Sequence, residues 1–141
     1  MKSNNNIVLI GFVGCGRNCV GKDLASELDS FFVDTQSLTD SLLSKECSDF
    51  EKEDIYKRAK KWLSSTDNTI ISAKCDFAVL DEISKLGHII YLKVPFDELK
   101  EIDIEKDEFE KKDEIFREKA DFIIDGKMPK ESILKTILWE L

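Results

Sequence analysis

A chain of 141 residues with 42% hydrophobic and 35% charged residues can bury a core, and one domain is expected over residues 1–141. The formal net charge of -8 argues against nucleic acid as a partner, because phosphate contacts need a basic face. It also provides no general steering of an anionic ligand, so any affinity for phosphate must be local.

No segment approaches the ~20 apolar residues of a membrane span. Met1–Asn6 is polar rather than signal-like, so a cytoplasmic protein with no membrane partner is expected. Cys15, Cys19, Cys47 and Cys75 lack paired Cys-x-x-Cys spacing, which favours reduced thiols over zinc.

In chain order, Ile7-Val8-Leu9-Ile10 is an uninterrupted apolar run, as in a strand buried on both faces of a parallel sheet. Gly11, Gly14 and Gly16 let the backbone turn, and Val20, Leu24, Ala25 and Leu28 follow at helical spacing. Strand, glycine-rich turn and helix together make a phosphate-binding loop, whose N–H groups and helix N-terminus suit an anionic oxygen. The P-loop pattern is Gly, four residues, Gly, Lys, then Ser or Thr. From Gly11 the spacing holds, with Arg17 at the Lys position and Asn18 at the hydroxyl position. A second match, Gly16 to Gly21-Lys22, falls a turn inside the helix, where Gly21 is expected to bring the helix close to the sheet. Cys15 is expected to be a small residue filling the tight loop.

Phe31 to Thr35 reads as a second strand, whose end would aim Asp34 at the loop. Helices are expected over Ser37–Leu43 and over Asp49–Leu63, the latter with Phe50, Ile55, Ala59, Trp62 and Leu63 on its apolar face. Thr69–Ser72 is the third strand, and Ala78–Leu86 a helix stopped at Gly87. Ile89–Val94 is the fourth strand, with His88 at its edge, and Pro95 opens the next helix. Asp97–Lys119 is dense in both signs of charge, with Leu99, Ile102, Phe109 and Phe116 as a thin apolar stripe. Asp121–Asp125 is the fifth strand, and Lys127–Leu141 a closing helix with Ile133, Leu134, Ile137 and Leu138 inward. Five alternations imply an α/β fold with a five-stranded parallel sheet covered on both faces.

These landmarks together resemble shikimate kinase, a nucleoside-monophosphate-kinase-like P-loop family. Ile7–Gly16 with Phe12 and Gly14 is similar to its opening strand and loop, and Phe32-Val33-Asp34-Thr35-Gln36 to its Phe-Ile-Asp-x-Asp segment. Ile55-Tyr56-Lys57 is similar to its Phe-Arg helix, Ile71-Ser72-Ala73 to its third strand, and Phe116–Ile124 to its Tyr-x-x-x-Ala-Asp ending. The resemblance implies a three-layer P-loop kinase-like fold with Lys100–Asp113 as a reduced, acidic lid.

It also implies ATP or ADP with Mg²⁺ as ligands. Gly11, Gly14, Cys15, Gly16, Arg17, Asn18 and Cys19 would hold phosphate, and Asn18 and Asp34 the metal. Arg17 and Asp34 would fill the catalytic positions, and Asp34, Gln36 and Lys57 the acceptor positions. Against the family pattern, Gln36 replaces a carboxylate, Lys57 a forked Arg, Lys74-Cys75-Asp76 three glycines and Lys112 a late Arg. Phosphoryl transfer rests on positioning and electrostatics shared among such groups. The expectation is therefore a shikimate-kinase-like protein impaired in catalysis, with residual binding of phosphate or nucleotide. An active ATP-dependent small-molecule kinase and a non-catalytic interaction module using Asp97–Lys119 are the alternatives.

Overall fold

The computed structural model describes residues 5–12, 14–45, 52–79, 83–99 and 104–140. Five strands form one sheet: β1 (Ile7–Ile10), β2 (Phe31–Asp34), β3 (Thr69–Ser72), β4 (His88–Lys93) and β5 (Phe122–Asp125). Their order is β2-β3-β1-β4-β5, and every neighbouring pair runs parallel. The apolar run of β1 thus lies at the centre, with all four residues buried. Its C-terminal end opens between β3 and β4, the crevice where open parallel sheets place ligands.

Helices α1 (Arg17–Leu28), α2 (Thr35–Lys45), α3 (Lys52–Ser64), α4 (Cys75–Ala78), α5 (Lys106–Lys119) and α6 (Lys130–Glu140) cover the sheet. Val20, Leu24 and Ala25 fix the inward face of α1. Gly21 brings that face against β2, because a Cβ there would lie 2.5 Å from the Phe32 ring. Phe12 packs against Phe109 and Phe116 with tilted rings, and Tyr91 meets Phe116 edge-on. The α/β fold and its five-stranded parallel sheet agree with the sequence expectation.

Several boundaries differ. Thr35 opens α2 instead of ending β2, because its buried hydroxyl accepts the Lys74 N–H at 3.0 Å. The helix expected over Ala78–Leu86 is instead α4 and a 3-10 turn at Ile83–Lys85. Ala78, Ile83 and Leu86 are all buried. The step from 78 to 83 turns about 140° on a helix, so one regular helix does not bury both residues on one face. Pro95 precedes only a 3-10 turn at Phe96–Glu98. The last helix starts at Lys130 rather than Lys127, since Pro129 disfavours helical geometry at the residue before it. Trp62 and Leu138 are 50% and 38% exposed; each sits at the margin of its helix's apolar face. Phe50, and Ile102 with the rest of residues 100–103 of the lid segment, lie outside the described residues; from Lys106 onward that segment is the start of α5.

Candidate functional site at the end of β1

Between β1 and α1 the chain makes the expected turn, with Gly14 and Gly16 at φ +91° and +86°. A side chain would be strained at both positions. Gly16 caps α1 in the left-handed conformation, and no side chain bonds to the helix start. No acidic residue occupies the first turn, and the helical ladder begins with Val20 N–H donating to the Gly16 carbonyl. The N–H groups of Arg17, Asn18 and Cys19 therefore precede the ladder at the positive end of the helix dipole. They border a cavity of ≈ 240 Å³ lined by Phe12, Gly14, Cys15, Gly16, Arg17, Asn18 and Cys19.

Arg17 does something that the sequence pattern does not announce. Its Nη1 donates to the Gly11 carbonyl at 2.5 Å and to the Ala73 carbonyl at 2.7 Å. The guanidinium fastens the loop to the end of β3, so the cation at the P-loop Lys position is committed to backbone. Cys15 turns its sulfur into the core, and its N–H closes a turn on Phe12 at 3.1 Å. Burial pushes the Cys15 thiol up, outweighing the nearby Arg17 charge, and burial does the same at Cys75 against Lys112 and Arg17. These are packed thiols rather than activated ones. Cys19, in contrast, is exposed.

Asn18 and Asp34 come together, as the topology requires. The Asn18 amide donates from Nδ2 to Asp34 Oδ2 at 3.4 Å, and its Oδ1 accepts the Ser72 hydroxyl at 2.6 Å. Asp34 also accepts the Gln36 N–H at 3.0 Å and the Ser37 hydroxyl at 3.4 Å. In this arrangement Asn18 turns an N–H to the carboxylate, so Asp34 supplies the oxygen ligands that Mg²⁺ requires and Asn18 would join them only with its amide turned over. Among the described residues no group of three or more His, Cys, Asp and Glu side chains gathers into a metal site.

Gln36 lines a cleft with Thr35, Thr39, Tyr56, Lys74 and Phe77. Its volume of ≈ 10 Å³ is about that of a single water site. Lys57 lies elsewhere, on the margin of a larger cleft with Lys60, Lys61, Ser64, Lys85 and Leu86. So the loop residues, Asn18 and Asp34 share one site, Gln36 borders it, and Lys57 does not join them. Ser72 and the Ala73 carbonyl were not singled out as site groups from sequence. Their position at the C-terminal end of a strand beside β1 was the available signal.

No protein-family model matches the chain. The shikimate kinase of Helicobacter hepaticus is 24% identical over 156 aligned positions, covering 94% of this chain and 93% of that protein. The shikimate kinase of Clostridium botulinum is 30% identical over 105 positions, which span 67% of this chain and 62% of that relative. In structure, the shikimate kinase of Aquifex aeolicus superposes with a TM-score of 0.73 at 25% identity, over 96% of this chain and 94% of that one.

Proposed function

From a chain that is shikimate-kinase-like in sequence and in fold, we propose a protein that retains phosphate or nucleotide binding at its loop and has lost efficient phosphoryl transfer. The observation that carries this reading is the pair of hydrogen bonds that Arg17 Nη1 donates to the Gly11 and Ala73 carbonyls. Transfer needs a cation placed on the migrating phosphoryl group. Here the cation at that position is spent on holding the loop.

Two further features support it. The ≈ 10 Å³ cleft beside Gln36 has no room for a six-carbon acceptor. Lys57, at the family's carboxylate-clamping position, stands outside it. The uncapped first turn of α1 and the ≈ 240 Å³ cavity before it still suit a phosphate.

Calorimetric titration with ADP, with and without Mg²⁺, tests the reading. The expected result is binding weaker than the micromolar level, which is about -8 kcal/mol, and little affected by Mg²⁺. Cys19→Glu places a carboxylate in the first turn of α1, where it favours the helix but repels phosphate. That variant should fold normally and lose the binding. No heat at millimolar ADP, or unchanged binding in Cys19→Glu, would contradict loop binding.

A further inference from the structure

Three large apolar side chains stand at the end of the molecule away from the loop. Trp139 is 88% exposed, Leu138 38% and Leu28 36%. Leu28 ends α1, and the other two belong to the last turn of α6. Both helices start at the C-terminal edge of the sheet, where the loop lies, and run back towards its N-terminal edge. They touch each other, and the Lys130 ammonium meets the Asp23 carboxylate at 2.7 Å, which sets their stagger. Leu28 lies five residues past Asp23, and Leu138 eight past Lys130. At 1.5 Å per residue these are about 8 and 12 Å beyond the bridge, nearly one level.

Trp139 does not belong to the core of its own chain. Ile133 and Ile137 are the buried residues of α6, and Trp139 follows Ile137 by two residues, about 200° round the helix. It faces outward. A single exposed apolar residue is ordinary, but Trp139, Leu138 and Leu28 together expose about 300–400 Å², a patch of the size that marks an interaction surface.

Charge selects the occupant. The chain carries -8, so a second copy is repelled over most of its surface. In α1, however, Arg17 and Lys22 balance Asp23 and Glu27, and in α6 Lys130 and Lys135 balance Glu131 and Glu140. Each helix is neutral, with Asp29 just past Leu28 adding one negative charge. The excess of carboxylates lies elsewhere. Such a face gives a basic or an acidic partner little to grip, whereas two copies of it meet without repulsion. A two-fold contact uses the same patch on both copies. Two patches bury about 600–800 Å² of apolar surface, below the roughly 1,600 Å² of a standard stable interface, which implies a weak dimer.

We propose that the ends of α1 and α6 form a two-fold contact with a second copy of this chain, with Trp139 of each copy at its centre. Sedimentation equilibrium of the full chain, kept reduced so that Cys19 forms no disulfide, tests it. The expected result is a passage from monomer to dimer with a dissociation constant of about 10–100 µM. Salt should strengthen the dimer, because it screens the charge on each copy and leaves the apolar contact intact. Trp139→Ala with Leu138→Ser should weaken it at least about tenfold. Both side chains are exposed, so an unchanged melting curve in dilute solution confirms that the variant folds. Trp62→Phe leaves Trp139 as the sole tryptophan, whose emission should move to the blue as the dimer forms. A monomer at every concentration, or a dimer untouched by the double variant, overturns the proposal. A dimer that salt dissolves also overturns it, since ion pairs would then hold the contact. Blue emission from the dilute monomer would mean that the chain covers Trp139 itself, and a blue shift found only with phosphatidylcholine vesicles would give the face to lipid; either result overturns the dimer.

Discussion

Arg17 illustrates how one substitution keeps a loop's shape while changing its chemistry. A lysine carries its donors on a compact ammonium, whereas a guanidinium is planar and extends farther from the backbone; here a single nitrogen of it, Nη1, reaches both carbonyls. Its bonds to Gly11 and Ala73 tie the end of β1 to the end of β3. Arg17→Ala should therefore cost about 1–3 kcal/mol of stability, read by urea unfolding; a change below about 0.5 kcal/mol would mean that the bonds do not hold the loop. The thiols give a second check. In a Cys47→Ser background at pH 8, Cys19 should react with a thiol reagent at once. Cys15 and Cys75, buried and with their thiols pushed up by that burial, should react only as the chain unfolds. Rapid modification of two or three thiols in the folded protein would contradict that packing.

Among the elements, β4 and α5 are joined by a buried polar contact. The fully buried Tyr91 hydroxyl donates to Asp113 Oδ1 at 2.6 Å, and Arg117 and Lys93 approach Asp113 Oδ2 at 3.0 and 3.8 Å. Burial first, then the bond to Asp113, pushes the Tyr91 phenol upwards. Because the folded value is raised, the stabilisation is complete below the ordinary tyrosine range, about 10, and is lost as pH rises beyond it. Tyr91→Phe should cost about 1–3 kcal/mol near neutral pH and flatten the fall in melting temperature above about pH 10. An identical alkaline slope in the variant would show that Tyr91 does not drive it. At the α1–β2 contact, Gly21→Ala pushes a methyl into Phe32 and gains helix propensity. A net loss of about 1 kcal/mol is expected from their opposition, again by urea unfolding.

Much of this element scale was readable from the chain. Ile7–Ile10 and Ile89–Leu92 are runs that only a doubly covered strand accommodates, and they fixed the sheet. Thr35, α4 and the start of α6 were not readable in the same way. Their limits depend on a buried hydroxyl accepting the Lys74 N–H, on irregular spacing of Ala78, Ile83 and Leu86, and on the local reach of Pro129. The site was half legible. Strand order brings Asp34 to Asn18 once the sheet is known, but the direction of Arg17 depends on the distant Ala73 carbonyl. The separation of Lys57 from Gln36 depends on how α3 is rotated about its axis.

For the whole molecule, the fold is shikimate-kinase-like, and the proposed loss of phosphoryl transfer rests on where three groups of the site are engaged. Arg17 is hydrogen-bonded to backbone, Asn18 is hydrogen-bonded to Asp34 and Ser72, and the cleft at Gln36 measures only ≈ 10 Å³. Such groups act together in phosphoryl transfer, so the proposal predicts that turnover is lost as a whole rather than in part. The most direct measurement is ADP release from ATP and Mg²⁺ by the folded protein, with and without shikimate. Expected is no shikimate-dependent release above background. Shikimate-dependent turnover of about 1 s⁻¹ or more, the ordinary enzyme range, would contradict the loss of phosphoryl transfer.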